Sequence, residues 1–533
     1  MKLSIPSLLV AILLVPTNLI GQIAPSSQRI SLMRCEDMEI IDVDHSFGFQ
    51  NLESNMAYVT SDGKTFVVST AEESGASRIF TYNYYQSATG QIIKTEPGKF
   101  ASEFISTDEG LLSYGRDIEV LDSCTLEQRW HKNLFRDNPF YVYNGTLLAE
   151  GVGLGRFYGY DLATGKEKWR VKISHEGGVS DVFPMDDEHV LIVADDLVKL
   201  NTQTGERKAF EINNYVRNGK MRAGQILAGV AIGVATGVVV ANMGPGVYYI
   251  PIPRYNIPRI GALRRIYGDP STISCLSSNI VNEGNLYYLA DRDGVRCFDS
   301  DLNVQWTTPF PAKQGSSSYL RQSGDTLWLV NYGYANFHGT EQDNTGIPFV
   351  ASYNARTGEQ LLFKRIGKKQ APVKQVKCYS DRAVFIFTDS CKTLYFEAPK
   401  QVKTLVSKNF KNRRLLDGDL YRLDPETHQF LPFDENEPYL QDKEWNIYRM
   451  TSDGEEEVAP RSSVYRPQGL FADSLIVVQG GLNGADCWLL NKQGVPVYHI
   501  MQSIENSFVE GDNLFLFTAA GFTIVNKDIL KQE

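Results

Sequence analysis

Residues 155–169 read GRFYGYDLATGKEKW: alternating aromatic and small residues, an Asp, a Thr-Gly pair, and a second run that ends in Trp. Alternation with a period of two places one face of each run inward, as in paired β-strands. The Asp caps a tight turn through its short side chain, and the Gly takes a backbone conformation that other residues resist. The segment is therefore a hairpin whose last residue, Trp169, offers a large apolar surface to a neighbour.

Weaker copies follow the same order. They lie at 122–130 (DSCTLEQRW), 198–207 (VKLNTQTGER), 299–306 (DSDLNVQW), 351–362 (ASYNARTGEQLL) and 420–430 (LYRLDPETHQF), with worn versions at 87–91, 451–456 and 489–497. The residues that define the repeat are Asp122, Trp130, Asp161, Gly165, Trp169, Gly205, Asp299, Trp306 and Gly358. Some copies are preceded by another hydrophobic pair, as in 111–122 and 286–299. Four strands in roughly 40 residues is the period of a propeller blade. The expected fold is all-β, a single β-propeller of seven or eight four-stranded blades. Residues 29–44 are expected to pair with 506–526 and so close the ring, because a closed ring hides its edge strands.

Composition agrees with that class. The chain has 533 residues, 42% hydrophobic and 22% charged, with 27 Tyr, 27 Phe and 44 Gly. This is globular and leans toward strands joined by tight turns. Its 53 basic residues against 63 acidic ones give a net charge of −10, which argues against nucleic acid as a partner. Residues 1–21 carry Lys2, an unbroken apolar run at 8–15, Pro16 and a small Gly21, the three-part pattern of a secretory signal peptide. We read the protein as exported and bacterial, periplasmic or outer-membrane-associated, with an extracellular location as the alternative.

The segment 160–169, YDLATGKEKW, resembles the blade signature of PQQ-like β-propeller repeat proteins. The resemblance spans roughly 58–526 apart from 213–268, and it fades after Lys400. That superfamily includes quinoprotein dehydrogenases and the periplasmic scaffold of the outer-membrane barrel assembly machinery. Active dehydrogenases of this kind carry two adjacent cysteines and Asp, Glu and Asn ligands for calcium. The seven cysteines here are nowhere adjacent, and none of those ligands can be mapped, so no cofactor is expected. The scaffold type lacks an enzymatic site, and a protein partner in the cell envelope is what the resemblance implies. The lipid-attachment Cys of that scaffold is missing.

Residues 213–268 break the repeat. From 223 to 253 the chain has 31 residues without a charge, flanked by Arg217, Lys220 and Arg222 on one side and Arg254, Arg259, Arg264 and Arg265 on the other. Gly229, Gly233 and Gly237 recur every fourth residue, which on a helix makes a smooth face for close packing. Tyr248 and Tyr249 suit an interfacial position. Three readings stand: contact with a membrane, contact with a protein partner, or burial against the propeller.

Chemistry is sparse. None of the seven His has a ligand-spaced companion, and neither a serine-nucleophile elbow nor a phosphate loop is present. No metal site and no catalytic residue are expected. His45, and His175 beside Glu176, come nearest to acid–base pairs. The GVGLG run at 151–155 reads as a hairpin connection, DRDG at 291–294 as a turn, and the acidic runs 186–188 and 455–457 as solvated loops. Cys378 and Cys391 flank a strand and turn, which makes them a candidate disulfide. The expectation is a non-enzymatic interaction scaffold; the alternative is an enzyme or carbohydrate-binding protein with its site in the central channel.

Overall fold

Eight antiparallel blades, each with four strands in chain order, follow one another at 52–98, 103–133, 137–172, 181–211, 281–309, 318–365, 375–406 and 414–459, and the one at 137–172 gains a short fifth strand at 261–262. The computed structural model describes residues 30–217, 261–262 and 272–531, less short connecting loops within those spans. Among the described residues the only helical turns are three short 3-10 segments. First strands of successive blades adjoin, as 52–59 against 103–107 and 375–378 against 414–415, so these strands face the axis. Fourth strands such as Arg207–Glu211 are mostly exposed and form the rim. The fold is an all-β propeller.

Two further sheets complete the ring with help from the N-terminus. Strands at 464–500 form one, and Ile30–Arg34 pairs antiparallel with its outer strand Pro496–Ile500, followed by Ile40–Val43. Strands at 506–526 form the other, and Ser46–Gly48 supplies its fourth strand against Gly521–Asn526. The expected seam was 29–44 with 506–526. Those residues instead join the preceding sheet, and the three residues beyond them take the place assigned to them. The two closing sheets pack face to face through Ile30, Leu32, Val43, Leu514, Leu516 and Val525, so the apolar pattern of 30–43 is used, one sheet earlier.

The repeated turn explains the blade-to-blade joints. Asp161 Oδ1 accepts hydrogen bonds from the Thr164 amide (2.9 Å) and hydroxyl (2.7 Å), while the Gly165 amide donates to the Asp161 carbonyl. Gly165 has φ +68°, in the left-handed region. Asn201 with Gly205 and Asn354 with Gly358 repeat this geometry. The Trp of each preceding blade lies on that Gly. Trp130, Trp169 and Trp306 donate their indole N–H to the carbonyls of Leu162 (2.7 Å), Thr202 (2.7 Å) and Ala355 (2.9 Å). A Cβ at Gly165, Gly205 or Gly358 would stand 2.6, 2.7 or 2.5 Å from the respective indole, so only Gly permits the contact. Asp122 and Asp299 cap related turns, with Leu126 and Leu302 in the left-handed position.

Cys378 and Cys391 are free thiols, which corrects the expected disulfide. Cys378 lies opposite Ala383 and Cys391 opposite Ile386, so one strand separates them and they are three registers apart. They also serve opposite faces of the blade, Cys378 toward Phe385 and Cys391 toward Phe410. Burial pushes both thiols up to about 12, which leaves them protonated at neutral pH.

Candidate functional site

Turns between third and fourth strands lie on one face of the ring. Turns between second and third strands, and the blade-to-blade connections, lie on the other, here called the upper face. The insertion belongs to the connection between the blades at 181–211 and 281–309, so it leaves from the upper face. Residues 218–260 and 263–271 lie outside the described residues, and with them Gly229, Gly233, Gly237, Tyr248 and Tyr249. Its stems are described. Val216–Arg217 pairs with Thr272–Ser274, and that strand pairs with Tyr334–Phe337, in a hairpin that grows from the blade at 318–365. Gly261–Ala262 pairs with Tyr141–Val142 on the axial strand of the blade at 137–172. The insertion is therefore held at three places, one of them on the inner edge of the ring.

Buried polar side chains fix the root of the insertion. Asn214, 1% exposed, donates to the Ser180 hydroxyl (2.8 Å) and the Ala194 carbonyl (2.8 Å) and accepts from the Ser277 amide (3.0 Å). Asp291, fully buried, pairs with Arg296 and accepts the amides of Asn213 (3.0 Å), Asp293 (2.9 Å) and Gly294 (3.1 Å). Residues 291–294 form the turn read from the sequence. The reach of Asp291 back to Asn213, 78 residues away, had no sequence signal.

Beside this root lies an open cleft of about 540 Å3, lined by Asp195, Asp196, Glu211, Tyr215 and Arg292, among others. Asp195 accepts from the Ser174 hydroxyl and from the amides of Glu176 (2.8 Å) and Gly177 (2.9 Å), so its role is to shape the loop. Burial, with the neighbouring charges of Asp195 and Glu211, raises the carboxyl of Asp196. Among the described residues no group of His, Cys, Asp and Glu has the arrangement of a metal site, and no helix is long and apolar enough to cross a membrane.

His175 sits at the adjoining blade joint with a partner different from the one its sequence neighbour suggested. Its Nε2 lies 2.5 Å from Glu150 Oε1 and its Nδ1 3.0 Å from the Ile173 carbonyl. Two acceptors facing both ring nitrogens favour the doubly protonated imidazolium. Burial pulls the His175 pKa down, but the Glu150 and Ile173 bonds and the charges of Glu150 and Asp195 outweigh it, and the net shift is upward. A raised folded-state value makes the contribution full below the unfolded value of about 6.5 and lost as pH climbs through the folded one. Urea midpoints of wild type and His175→Gln are expected to differ most below that pH and to converge as the solution turns alkaline. A gap that widens with pH would contradict the pairing.

Other readings resolve unevenly. Residues 152–154, His45, Cys124 and Cys275 lie outside the described residues. Glu455 is not solvated: its side chain is 7% exposed and pairs with Arg413 at 3.1 Å.

No family model matches the chain, and no curated protein does. Solved structures similar to it include BamB from Moraxella catarrhalis, at 14% identity over 78% of this chain and 98% of that one, with a TM-score of 0.34. The computationally designed Ika8 protein is 9% identical over 73% and 96% of the two chains, with a TM-score of 0.30. The dihydro-heme d1 dehydrogenase NirN in complex with DHE is 8% identical over 71% and 73%, also at 0.30. Likeness at this level assigns no activity, ligand or partner.

Proposed function

We propose that the chain is an exported, non-enzymatic propeller of the bacterial cell envelope that displays its apolar insertion to a protein partner. The observation that supports this reading is the root of the insertion. Its stems pair with each other and with a hairpin of another blade, they are pinned by buried Asn214 and Asp291, and the chain returns along the axial edge of a third blade. A ring of Trp-locked blades costs little further ordering when something docks on it, and upper-face loops are free to vary around it. The flanking basic residues and Tyr248 and Tyr249 keep membrane contact through 223–253 as part of the proposal.

The test compares wild type with a deletion of 226–243. Cross-linked envelope extracts are expected to yield a specific protein with wild type and to lose it with the deletion. Equal recovery with both would remove the partner reading. Liposome flotation in parallel assigns the contact: flotation that the deletion abolishes places it at the membrane.

The cleft favours a second reading, a carbohydrate or other small-ligand site. Asp196, Glu211, Tyr215 and Arg292 line it, but it stands at the root of the insertion, between the blades at 181–211 and 281–309.

A further inference from the structure

At the inner rim of the upper face, two arginines from adjoining sheets converge on one indole. Arg414 lies on the axial strand of the blade at 414–459, and Arg466 lies near the start of the first strand of the next sheet. Their guanidinium carbons stand 5.0 and 4.7 Å from the centre of the Trp445 ring. Trp445 sits in the turn between the second and third strands and holds φ +74°, a left-handed conformation uncommon for so bulky a residue. Gln441, the register partner of Arg414, accepts from Arg414 Nε (2.9 Å) and Nη2 (2.5 Å) through its Oε1.

Three features of this cluster are left over from folding. Among the described residues no carboxylate reaches either guanidinium, whereas Arg413 next door holds both Asp442 (3.2 Å) and Glu455 (3.1 Å). Gln441 is 2% exposed, and its Nε2, a donor, is buried without a hydrogen-bond partner. Like charges converge in a chain whose net charge is −10. Burial, then the charge of Arg414, lowers the pKa of Arg466. A buried donor and a half-buried cation without a counter-charge are each costly.

The geometry points to an oxyanion site here: Arg414, Arg466 and the Gln441 amide receive the carboxylate or phosphate group of a ligand that enters from the upper face, with Trp445 as its apolar wall. Guanidinium forks match both oxyanions in two-point fashion, and the shared chemistry is a planar or tetrahedral group with at least two acceptor oxygens.

The experiment titrates the full chain with inorganic phosphate and, separately, with succinate, each against sodium chloride at matched ionic strength. Calorimetry is expected to show saturable binding of at least one, and the preferred anion tells phosphate from carboxylate. Arg466→Gln and Arg414→Gln should each weaken it at least tenfold, and Arg466→Lys, which keeps charge but not the fork, by less. Arg466→Met should melt in chloride no lower than wild type, because it removes an unpaired, half-buried charge, and should lose the upward melting shift that the anion gives wild type. Wild-type protein that binds neither anion saturably, or folded Gln variants that bind as wild type does, would overturn the site.

Discussion

Trp169→Ala should lower the stability of the chain by about 3–5 kcal/mol, the range for emptying a buried Trp site. The indole is 7% exposed and lies between its own blade and the turn at Asn201–Gly205 of the next, so no side chain stands ready to fill the space. Its N–H also satisfies the carbonyl of Thr202, which is fully buried. Trp169→Phe keeps most of the ring and strands that carbonyl, so a smaller loss of about 1–3 kcal/mol is expected. Gly205→Ala attacks the same contact from the other side, through a Cβ at 2.7 Å and a φ of +76°. Because all three act on one joint, Trp169→Ala and Gly205→Ala together should cost less than the sum of the two. Urea denaturation measures each. Additive losses, or a Trp169→Ala midpoint equal to that of wild type, would mean that the joint does not hold the blades.

Asp291→Ala is the second large effect. It leaves Arg296, 14% exposed, without its counter-charge and three amides without their acceptor. Breaking a buried pair from one side costs about 3–5 kcal/mol. The loss should be local as well as global, since one of those amides belongs to Asn213, where the insertion departs. Hydrogen exchange at 213–216 is expected to accelerate well before the blades at 52–172 respond. Asp291→Asn keeps the shape and part of the hydrogen bonding and should fall between. Unchanged exchange at 213–216 in the Ala variant would separate Asp291 from the insertion.

The blade motif was legible where chemistry forces one residue. An indole laid on a turn admits only Gly, so Gly165, Gly205 and Gly358 are visible in the sequence beside their Asp or Asn. In three of the weaker copies, 122–130, 299–306 and 420–430, the left-handed position is held by Leu126, Leu302 or His428, at φ 58°, 56° and 54°. The turns at Asp122 and Asp424 match that of Asp161, while the one at Asp299 closes one residue sooner, and in all three the signature Gly is missing. The seam was half legible. Strand character at 30–43 was evident, while the choice between two adjoining sheets depends on packing across the ring. The pairs His175–Glu150, Asp291–Asn213 and Arg414–Arg466 could not be read, because the residues of each are brought together only by the fold. The cysteine pairing failed for a related reason: nearness along the chain says nothing about which side of a strand a thiol faces.

Because Ile30–Arg34 and Ser46–Gly48 pair with strands more than 450 residues downstream, the final sheets cannot assemble until those distant strands have been made. Contacts so remote in sequence are the slowest to form. Those two early strands therefore stay unpaired, exposed to other chains, until their partners at 496–500 and 521–526 arrive.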